Sequence, residues 1–175
     1  LSSMKILPAG EMQEYLVIGE LSLDGSILPV SGALPAAIGA AARNKGLICS
    51  KQNGQEAAWS GNNNILVASN LIELVNHFKG LQILSSPELE IDTSIINYPD
   101  FKEIKGQKTA KRALEIAASG SHNLLMFGPP GTGKSMLAQC IPGILPKMRP
   151  EEILECSTIA SVAGKLANGK LSRVR

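Results

Sequence analysis

Residues 128–135 read Gly-Pro-Pro-Gly-Thr-Gly-Lys-Ser, and this run constrains the fold more than any other part of the chain. The spacing is that of a phosphate-binding loop, whose glycines let backbone N–H groups approach a polyphosphate closely. In such a loop Lys134 reaches the β and γ phosphates, and Ser135 ligates Mg²⁺. The motif lies between a strand and a helix, so it predicts an α/β arrangement in which the helix N-terminus faces the anion.

The residues on both sides of the loop have the patterns expected of a strand before it and a helix after it. Residues 123–127, Asn-Leu-Leu-Met-Phe, form a short apolar run typical of a buried parallel strand. Residues 136–141 predict a helix, which Pro142 and Gly143 are expected to end. A chance Gly/Pro surface turn is therefore the weaker interpretation. The expected nucleotide contacts from this region are Gly128, Pro129, Pro130, Gly131, Thr132, Gly133, Lys134, Ser135 and Met136.

Composition narrows the class of protein. With 44% hydrophobic and 18% charged residues, the 175-residue chain is typical of a globular protein. Only 3% of the residues are aromatic and the net charge is +2, which argues against a stacking platform for single-stranded nucleic acid.

Three scattered cysteines and two histidines do not form a metal-binding pattern. Since neither a membrane span nor a secretory signal is visible, the cytoplasm is expected. The first residue is Leu1 rather than Met, which suggests a fragment.

The pattern along the chain predicts two domains, residues 1–84 and 101–175, joined by a linker at 85–100. In the first, alternating apolar residues around Asp24-Gly25 predict a β-hairpin. A helix is expected from Pro35 to Gly46, followed by strands at 47–49 and 65–68. The last element is a helix capped by Ser69 or Asn70 and closed by Gly80. Strands that alternate with helices indicate a small α/β or α+β layer domain.

In the second domain, residues 107–119 predict a helix that ends at Gly120. Its apolar stripe contains Ala110, Leu114 and Ala117, and Lys111 is expected on the outer face. A further helix begins at residues 150–152, Pro-Glu-Glu, where acidic residues suit the positive end of the helix dipole.

Residues 104–107, Ile-Lys-Gly-Gln, lie one helix upstream of the phosphate loop. With the two prolines of the loop, this arrangement resembles the start of an AAA+ ATPase module, a parallel sheet with flanking helices. The resemblance implies that Ile104 and Gln107 contact the adenine of ATP. A simple helix-capping turn is the competing interpretation of the same four residues.

Residues 19–30 read Gly-Glu-Leu-Ser-Leu-Asp-Gly-Ser-Ile-Leu-Pro-Val and resemble a hairpin of the Lon protease domain. In that family the catalytic lysine lies in the next helix, where this chain has Ala36. No lysine occurs between Lys5 and Lys45, and a Ser–Lys dyad needs a lysine amine to accept the serine proton. The resemblance therefore implies part of a Lon-like scaffold without peptidase chemistry.

A Lon-like domain followed by an AAA+ module resembles the layout of the ComM/YifB family, also called magnesium-chelatase-related proteins. Residues 117–123, 135–138 and 157–164 are similar to that family as well. The resemblance implies ATP and Mg²⁺ as ligands and a hexameric ring for the full-length protein. It further implies a DNA helicase that drives branch migration in natural transformation and recombination.

The chain lacks the Asp-Glu pair expected at the end of a Walker B strand, which orders Mg²⁺ and polarises the attacking water. That strand, the sensors and the arginine finger are expected beyond Arg175, so no catalytic residue is assigned. Two alternatives stay open. One is a magnesium-chelatase-like subunit that acts on a protein or a metal-insertion partner, and the other is a degenerate remnant without enzymatic activity.

Overall fold

A computed structural model describes Met4, residues 6–87 and residues 97–166. The described residues form two compact units. The first contains the residues up to Pro87 together with those from Glu151 onward, and the second contains residues 97 to 150. Most of the linker expected at 85–100, and the tail from 167 onward, lie outside the described residues.

The first unit is built on a parallel three-stranded sheet. Its strands are β1 (Tyr15–Val17), β4 (Gly46–Ser50) and β5 (Ile65–Ala68), in the order β1-β4-β5. In register, Leu47 pairs with Leu16 on one side and with Ile65 on the other. All five residues of the central strand β4 are buried, as expected for a parallel strand that is covered on both faces.

A short antiparallel hairpin lies beside this sheet. Strands β2 (Glu20–Leu21) and β3 (Ile27–Leu28) are joined through Asp24 and Gly25, which confirms the hairpin expected from the sequence. Gly25 adopts a φ of +85°, and the Asp24 carboxylate accepts hydrogen bonds from the backbone N–H and the hydroxyl of Ser26. The Ser26 hydroxyl is the largest cause that lowers the pKa of Asp24. Turn chemistry thus fixes this element locally.

Helices cover both faces of the parallel sheet. On one face α2 (Ala33–Ala41) and α3 (Gly54–Ala58) bury small residues against Leu47 and Cys49. On the other, α4 (Leu71–Phe78) packs against Ile48. Successive residues of β4 point to opposite faces, so one strand contributes to both hydrophobic clusters. Helix α1 (Ala9–Met12) precedes β1, and a 3₁₀ turn at Lys51–Asn53 leads into α3.

Helix α4 follows its sequence signals closely. The Asn70 side chain accepts a hydrogen bond from the backbone N–H of Glu73 at 2.9 Å, and Gly80 has a φ of +71° just after the helix. Asn70 rather than Ser69 is therefore the N-cap, with Gly80 in the expected closing role.

The expected end of helix α2 was wrong. Gly46 does not terminate the helix but begins β4, and the left-handed residue after the helix is Asn44, with a φ of +53°. A Cβ atom on Gly46 would lie 2.5 Å from the ring of Tyr15, so glycine is needed here for close packing within the sheet.

Helix α7 (Pro150–Val162) begins at the expected Pro-Glu-Glu signal and belongs by its contacts to the first unit. The backbone N–H of Gly32 donates to the carbonyl of Ser161 at 3.1 Å, and the Ser161 hydroxyl donates to the buried carboxylate of Glu56. The division that assigns residues 101–175 to one domain remains a prediction.

The second unit contains α5 (Lys108–Ser119) and α6 (Lys134–Ile144), with a 3₁₀ turn at Phe101–Glu103. The expected helix over 107–119 and its stop at Gly120 agree with α5 within one residue. Helix α6 continues through Pro142 to Ile144, so the expectation that Pro142 ends it was wrong. Leu145 is the C-cap, and its N–H donates to the carbonyl of Ile141 at 3.2 Å.

The strand expected at 123–127 is also not formed among the described residues. This segment has no strand partner, and the side chains of Leu125 and Phe127 are 93% and 99% exposed. A strand is defined by its ladder of hydrogen bonds to a neighbour, which an apolar run cannot supply by itself. The parallel sheet expected in this half is therefore absent from the described part of the chain. The fold is mixed α/β, and its sheets lie in the first unit.

None of the helices in the described ranges is both long enough and apolar enough to cross a membrane.

Candidate phosphate-binding site

The glycines of residues 128–135 create the shape of the loop. Gly128, Gly131 and Gly133 have φ values of +155°, +80° and +81°, in a region where residues with a Cβ are strained. A Cβ at Gly131 would meet no atom within 4 Å, so the backbone conformation rather than lack of space requires glycine there. The loop passes directly into α6, whose first backbone N–H groups have no partner within the helix.

Lys134 is the first residue of α6, and its ammonium group contacts backbone atoms of the preceding loop. Its Nζ donates to the carbonyl oxygens of Gly128 at 2.9 Å and Pro129 at 2.7 Å. It also lies 3.3 Å from the hydroxyl of Thr132, which in turn donates to the carbonyl of Pro129 at 2.9 Å. The result is a fixed positive charge beside the positive end of a helix of 11 residues.

Gln107, the N-cap of helix α5, also contacts the loop. It precedes α5 in a left-handed conformation with a φ of +55°, and its Nε2 donates to the carbonyl of Thr132 at 2.9 Å. The expected contact of Gln107 with the base remains a prediction, and in this geometry its side-chain amide contacts the phosphate loop. The half-buried Ile104 lies three residues earlier, and its carbonyl accepts a hydrogen bond from Lys111 Nζ.

A cavity of about 470 Å³ opens beside the loop within the second unit. Its polar side is formed by Gln107, Thr132 and Lys134. The remaining wall is mostly apolar and includes Ala110, Ala113, Leu124, Leu125, Met126, Phe127 and Leu137. This combination of a few convergent polar groups with apolar walls is common in small-molecule sites, and the volume lies in the usual range for them.

The other residues predicted to contact the nucleotide differ in their exposure and in whether they line the cavity. Ser135 follows Lys134 in the first turn of α6 and is exposed, as is Pro130. Met136 is 57% exposed. Of the predicted residues, five line the cavity: Gln107, Gly128, Pro129, Thr132 and Lys134. The other six do not: Ile104, Pro130, Gly131, Gly133, Ser135 and Met136.

Two features of the site could not be found from sequence patterns. Lys111, expected on the outer face of α5, is half-buried, and its Nζ donates to the carbonyl of Phe101 at 2.6 Å as well as to that of Ile104. The preceding turn is capped by Asp100, whose pKa is lowered chiefly by a hydrogen bond from the backbone N–H of Lys102. Only the position of Asp100 before a turn could have signalled this cap.

The cysteines near these elements are not arranged for reactivity. Cys140, in α6, is buried, and burial raises the pKa of its thiol. In the first unit, burial and then the nearby Glu56 carboxylate raise the pKa of Cys49 to about 12. Both thiols therefore remain protonated at neutral pH and behave as small apolar side chains.

At the position that the Lon resemblance assigns to a lysine, Ala36 packs against the buried cluster between α2 and the sheet. The Glu56 carboxylate, on α3, is buried and accepts a hydrogen bond from the backbone N–H of Leu34 in α2 at 3.1 Å. The helix is used here for packing.

Two family descriptions match the chain. "Magnesium chelatase, subunit ChlI" matches residues 100–175, and "Subunit ChlI of Mg-chelatase" matches residues 2–53. The first match contains the phosphate loop, and the second contains the hairpin, helix α2 and the central strand of the first unit.

Individual proteins are similar to nearly the whole chain or to a part of it. The competence protein ComM of Haemophilus influenzae is 37% identical over 161 residues, which cover 89% of this chain and 32% of that protein. The YifB protein of Escherichia coli is 37% identical over 162 residues, which cover 93% of this chain and 32% of that protein. An archaeal Lon protease of Halobacterium salinarum is 38% identical over 65 residues, 36% of this chain.

The chain thus spans about a third of the length of the curated ComM and YifB relatives that it matches. The similarity to Lon over a limited part agrees with the Lon-like hairpin of the first unit. Taken with the two family matches, these relatives show that the chain belongs to the ComM/YifB family of magnesium-chelatase-related proteins.

Proposed function

We propose that this chain supplies the phosphate-binding part of an ATP site. The observation that carries the proposal is the loop from Gly128 to Ser135, in which three left-handed glycines and the Lys134 ammonium converge at the start of α6. A helix N-terminus, a fixed cation and exposed backbone N–H groups together favour a polyphosphate. The cavity of about 470 Å³ beside the loop has room for a nucleoside.

The residues present also fit Mg²⁺ bound together with the nucleotide. Ser135 is exposed at the first turn of α6, next to the lysine, and a hydroxyl oxygen is a ligand that Mg²⁺ accepts. In this proposal Mg²⁺ supplies charge neutralisation at the phosphates, Lys134 binds them as a point charge, and Gly131, Thr132 and Gly133 hold the backbone around them. Pro129, Pro130 and Met136 complete the shape of the site.

The test is calorimetric titration of the chain with Mg·ATP. We expect micromolar binding by the wild-type chain and its loss in Lys134→Ala. Lys147→Ala is the matched control, because Lys147 is an exposed lysine of the same unit outside the loop. Equal affinities for all three chains would contradict the proposal, and an unfolded wild-type chain that binds nothing would favour the degenerate remnant.

For the full-length protein we propose a cytoplasmic ATPase that assembles into a hexameric ring and moves on recombining DNA. The support is the family membership and the relative named as a competence protein in Haemophilus influenzae. The test is ATP hydrolysis by a full-length member of the family with and without branched DNA. Stimulation by DNA that disappears when the loop lysine is replaced supports this role.

A second candidate is a magnesium-chelatase-like subunit that acts on a protein or a metal-insertion partner. It is favoured by the description of the family that matches residues 100–175. In the same assay, hydrolysis that no form of DNA stimulates, but that a protein partner does, would support this candidate over the helicase.

A further inference from the structure

Lys111 folds back onto backbone carbonyls, as Lys134 does, but at the segment that precedes α5. From the middle of α5 its ammonium reaches back and donates to the carbonyls of Phe101, at 2.6 Å, and Ile104. These carbonyls belong to the 3₁₀ turn Phe101–Glu103 and to the residue that follows it. Hydrogen bonds from a charged donor are about twice as strong as neutral ones, so Lys111 ties this turn firmly to α5.

The tied segment leads directly to the phosphate loop. Two and three residues after Ile104, the backbone turns through Gly106 and Gln107, with φ values of +69° and +55°. The Gln107 side chain then donates to the carbonyl of Thr132 in the loop at 2.9 Å. Gln107 is also held by α5 itself, since its carbonyl accepts a hydrogen bond from the backbone N–H of Lys111 at 2.9 Å, so its bond to the loop does not depend on the Lys111 ammonium.

The cavity explains why this connection matters for a ligand. Gln107 and Ala110 form one wall of it, next to the loop residues Thr132 and Lys134. A triphosphate alone would occupy the loop, whereas the rest of the 470 Å³ is available to a nucleoside. The segment that Lys111 ties continues directly into this wall, because Gln107 follows Ile104 by three residues.

We infer that Lys111 is a positioning residue for nucleotide binding: its ammonium holds residues 101–106, which lead into the cavity wall at Gln107, in place for a bound base, while the phosphate loop and the Gln107 bond to it form without the ammonium. This inference rests on the proposed function. It predicts that Lys111 matters for ATP, which has a base, and not for inorganic tripolyphosphate, which has none.

The experiment compares Mg·ATP and Mg·tripolyphosphate binding to the full chain by calorimetry, in wild type, Lys111→Met and Lys108→Met. Methionine keeps the length and helix propensity of lysine but removes the donors. Loss of the two charge-assisted bonds is expected to weaken ATP binding by about tenfold, and tripolyphosphate binding is expected to change less than twofold. Lys108, an exposed lysine at the start of the same helix, controls for loss of charge.

The outcomes separate the inference from the proposed function. If the wild-type chain binds ATP but Lys111→Met binds it equally well, or if Lys108→Met loses as much affinity, the positioning role is wrong. A parallel loss of ATP and tripolyphosphate binding in Lys111→Met would also overturn it, since that result indicates a general effect on the fold. If the wild-type chain binds neither ligand, the proposed function itself fails.

A second measurement uses only the wild-type chain and so does not depend on the folding of a variant. Lys105 is exposed within the tied segment and offers a trypsin site. Mg·ATP is expected to slow cleavage after Lys105 several-fold, and saturating Mg·tripolyphosphate is expected to leave it unchanged. Equal protection by both ligands, or protection by neither while ATP is bound, would overturn the inference.

Discussion

The hydrogen bond from Gln107 to the loop allows a quantitative prediction about ligand binding. Its Nε2 donates to the carbonyl of Thr132 at 2.9 Å, and both residues are exposed. A neutral hydrogen bond of this kind contributes about 0.5–1.5 kcal/mol. If it holds the loop in the binding conformation, Gln107→Ala is expected to weaken Mg·ATP binding by about 2- to 12-fold.

The backbone of Gln107 supplies a second variant that separates two explanations. Its φ of +55° costs a residue with a Cβ about 1–2 kcal/mol, which glycine does not incur. Gln107→Gly should therefore make the second unit at least as stable to heat as wild type, yet bind Mg·ATP as weakly as Gln107→Ala. The affinity for Mg·ATP is thus expected to depend on the Gln107 side chain, and the thermal stability on the backbone conformation at this position.

The assay is calorimetric titration with Mg·ATP and with Mg·tripolyphosphate, together with thermal unfolding of each variant. Gln139→Ala, at an exposed glutamine on α6, is the matched control and should bind both ligands like wild type. Because Gln107 braces the loop itself, both ligands should lose affinity, unlike the pattern expected for Lys111. Wild-type affinity in Gln107→Gly would refute the reasoning, because the side-chain bond would then contribute nothing.

Two further predictions concern the fold. Gly46→Ala should lower the free energy of unfolding in urea by about 1–3 kcal/mol, because the new Cβ would lie 2.7 Å from a backbone carbonyl as well as against the ring of Tyr15. Gly10→Ala, where a Cβ meets nothing within 4 Å, is its control, and equal stabilities of the two variants would contradict the packing at Gly46. For the thiols, iodoacetamide at pH 8 should modify the exposed Cys156 and spare the buried Cys49 and Cys140 until the chain unfolds. Rapid labelling of all three under native conditions would show that the buried thiols are not enclosed as described.

Elements with a local chemical signature were predictable from the sequence. The hairpin follows from Asp24-Gly25, whose backbone and side chain both favour a tight turn. Helix α4 follows from its cap at Asn70 and its glycine stop at Gly80. The conformation of the phosphate loop was predictable from its glycines in the same way, because few other residues adopt those φ values.

Elements that depend on a distant partner were not predictable. Residues 123–127 have the composition of a strand, but a strand needs a neighbour, and none pairs with them in the described residues. Gly46 resembles a helix stop, yet its role is set by the ring of Tyr15, 31 positions earlier in the chain, across the parallel ladder. The contacts of Lys111 with Phe101 and Ile104 were not predictable for the same reason. A helical pattern shows which face of the helix a lysine occupies, but not whether its side chain folds back onto a preceding turn.

The central claim is that the loop from Gly128 to Ser135 holds the phosphates of a nucleotide. Amide hydrogen exchange of the wild-type chain, measured by mass spectrometry with and without Mg·ATP, tests it most directly. The account predicts slower exchange in the peptides that contain residues 128–137, because the N–H groups of the loop and of the first turn of α6 would become donors to phosphate oxygens. Unchanged exchange in these peptides under conditions where ATP is bound, with protection elsewhere in the chain, would contradict it.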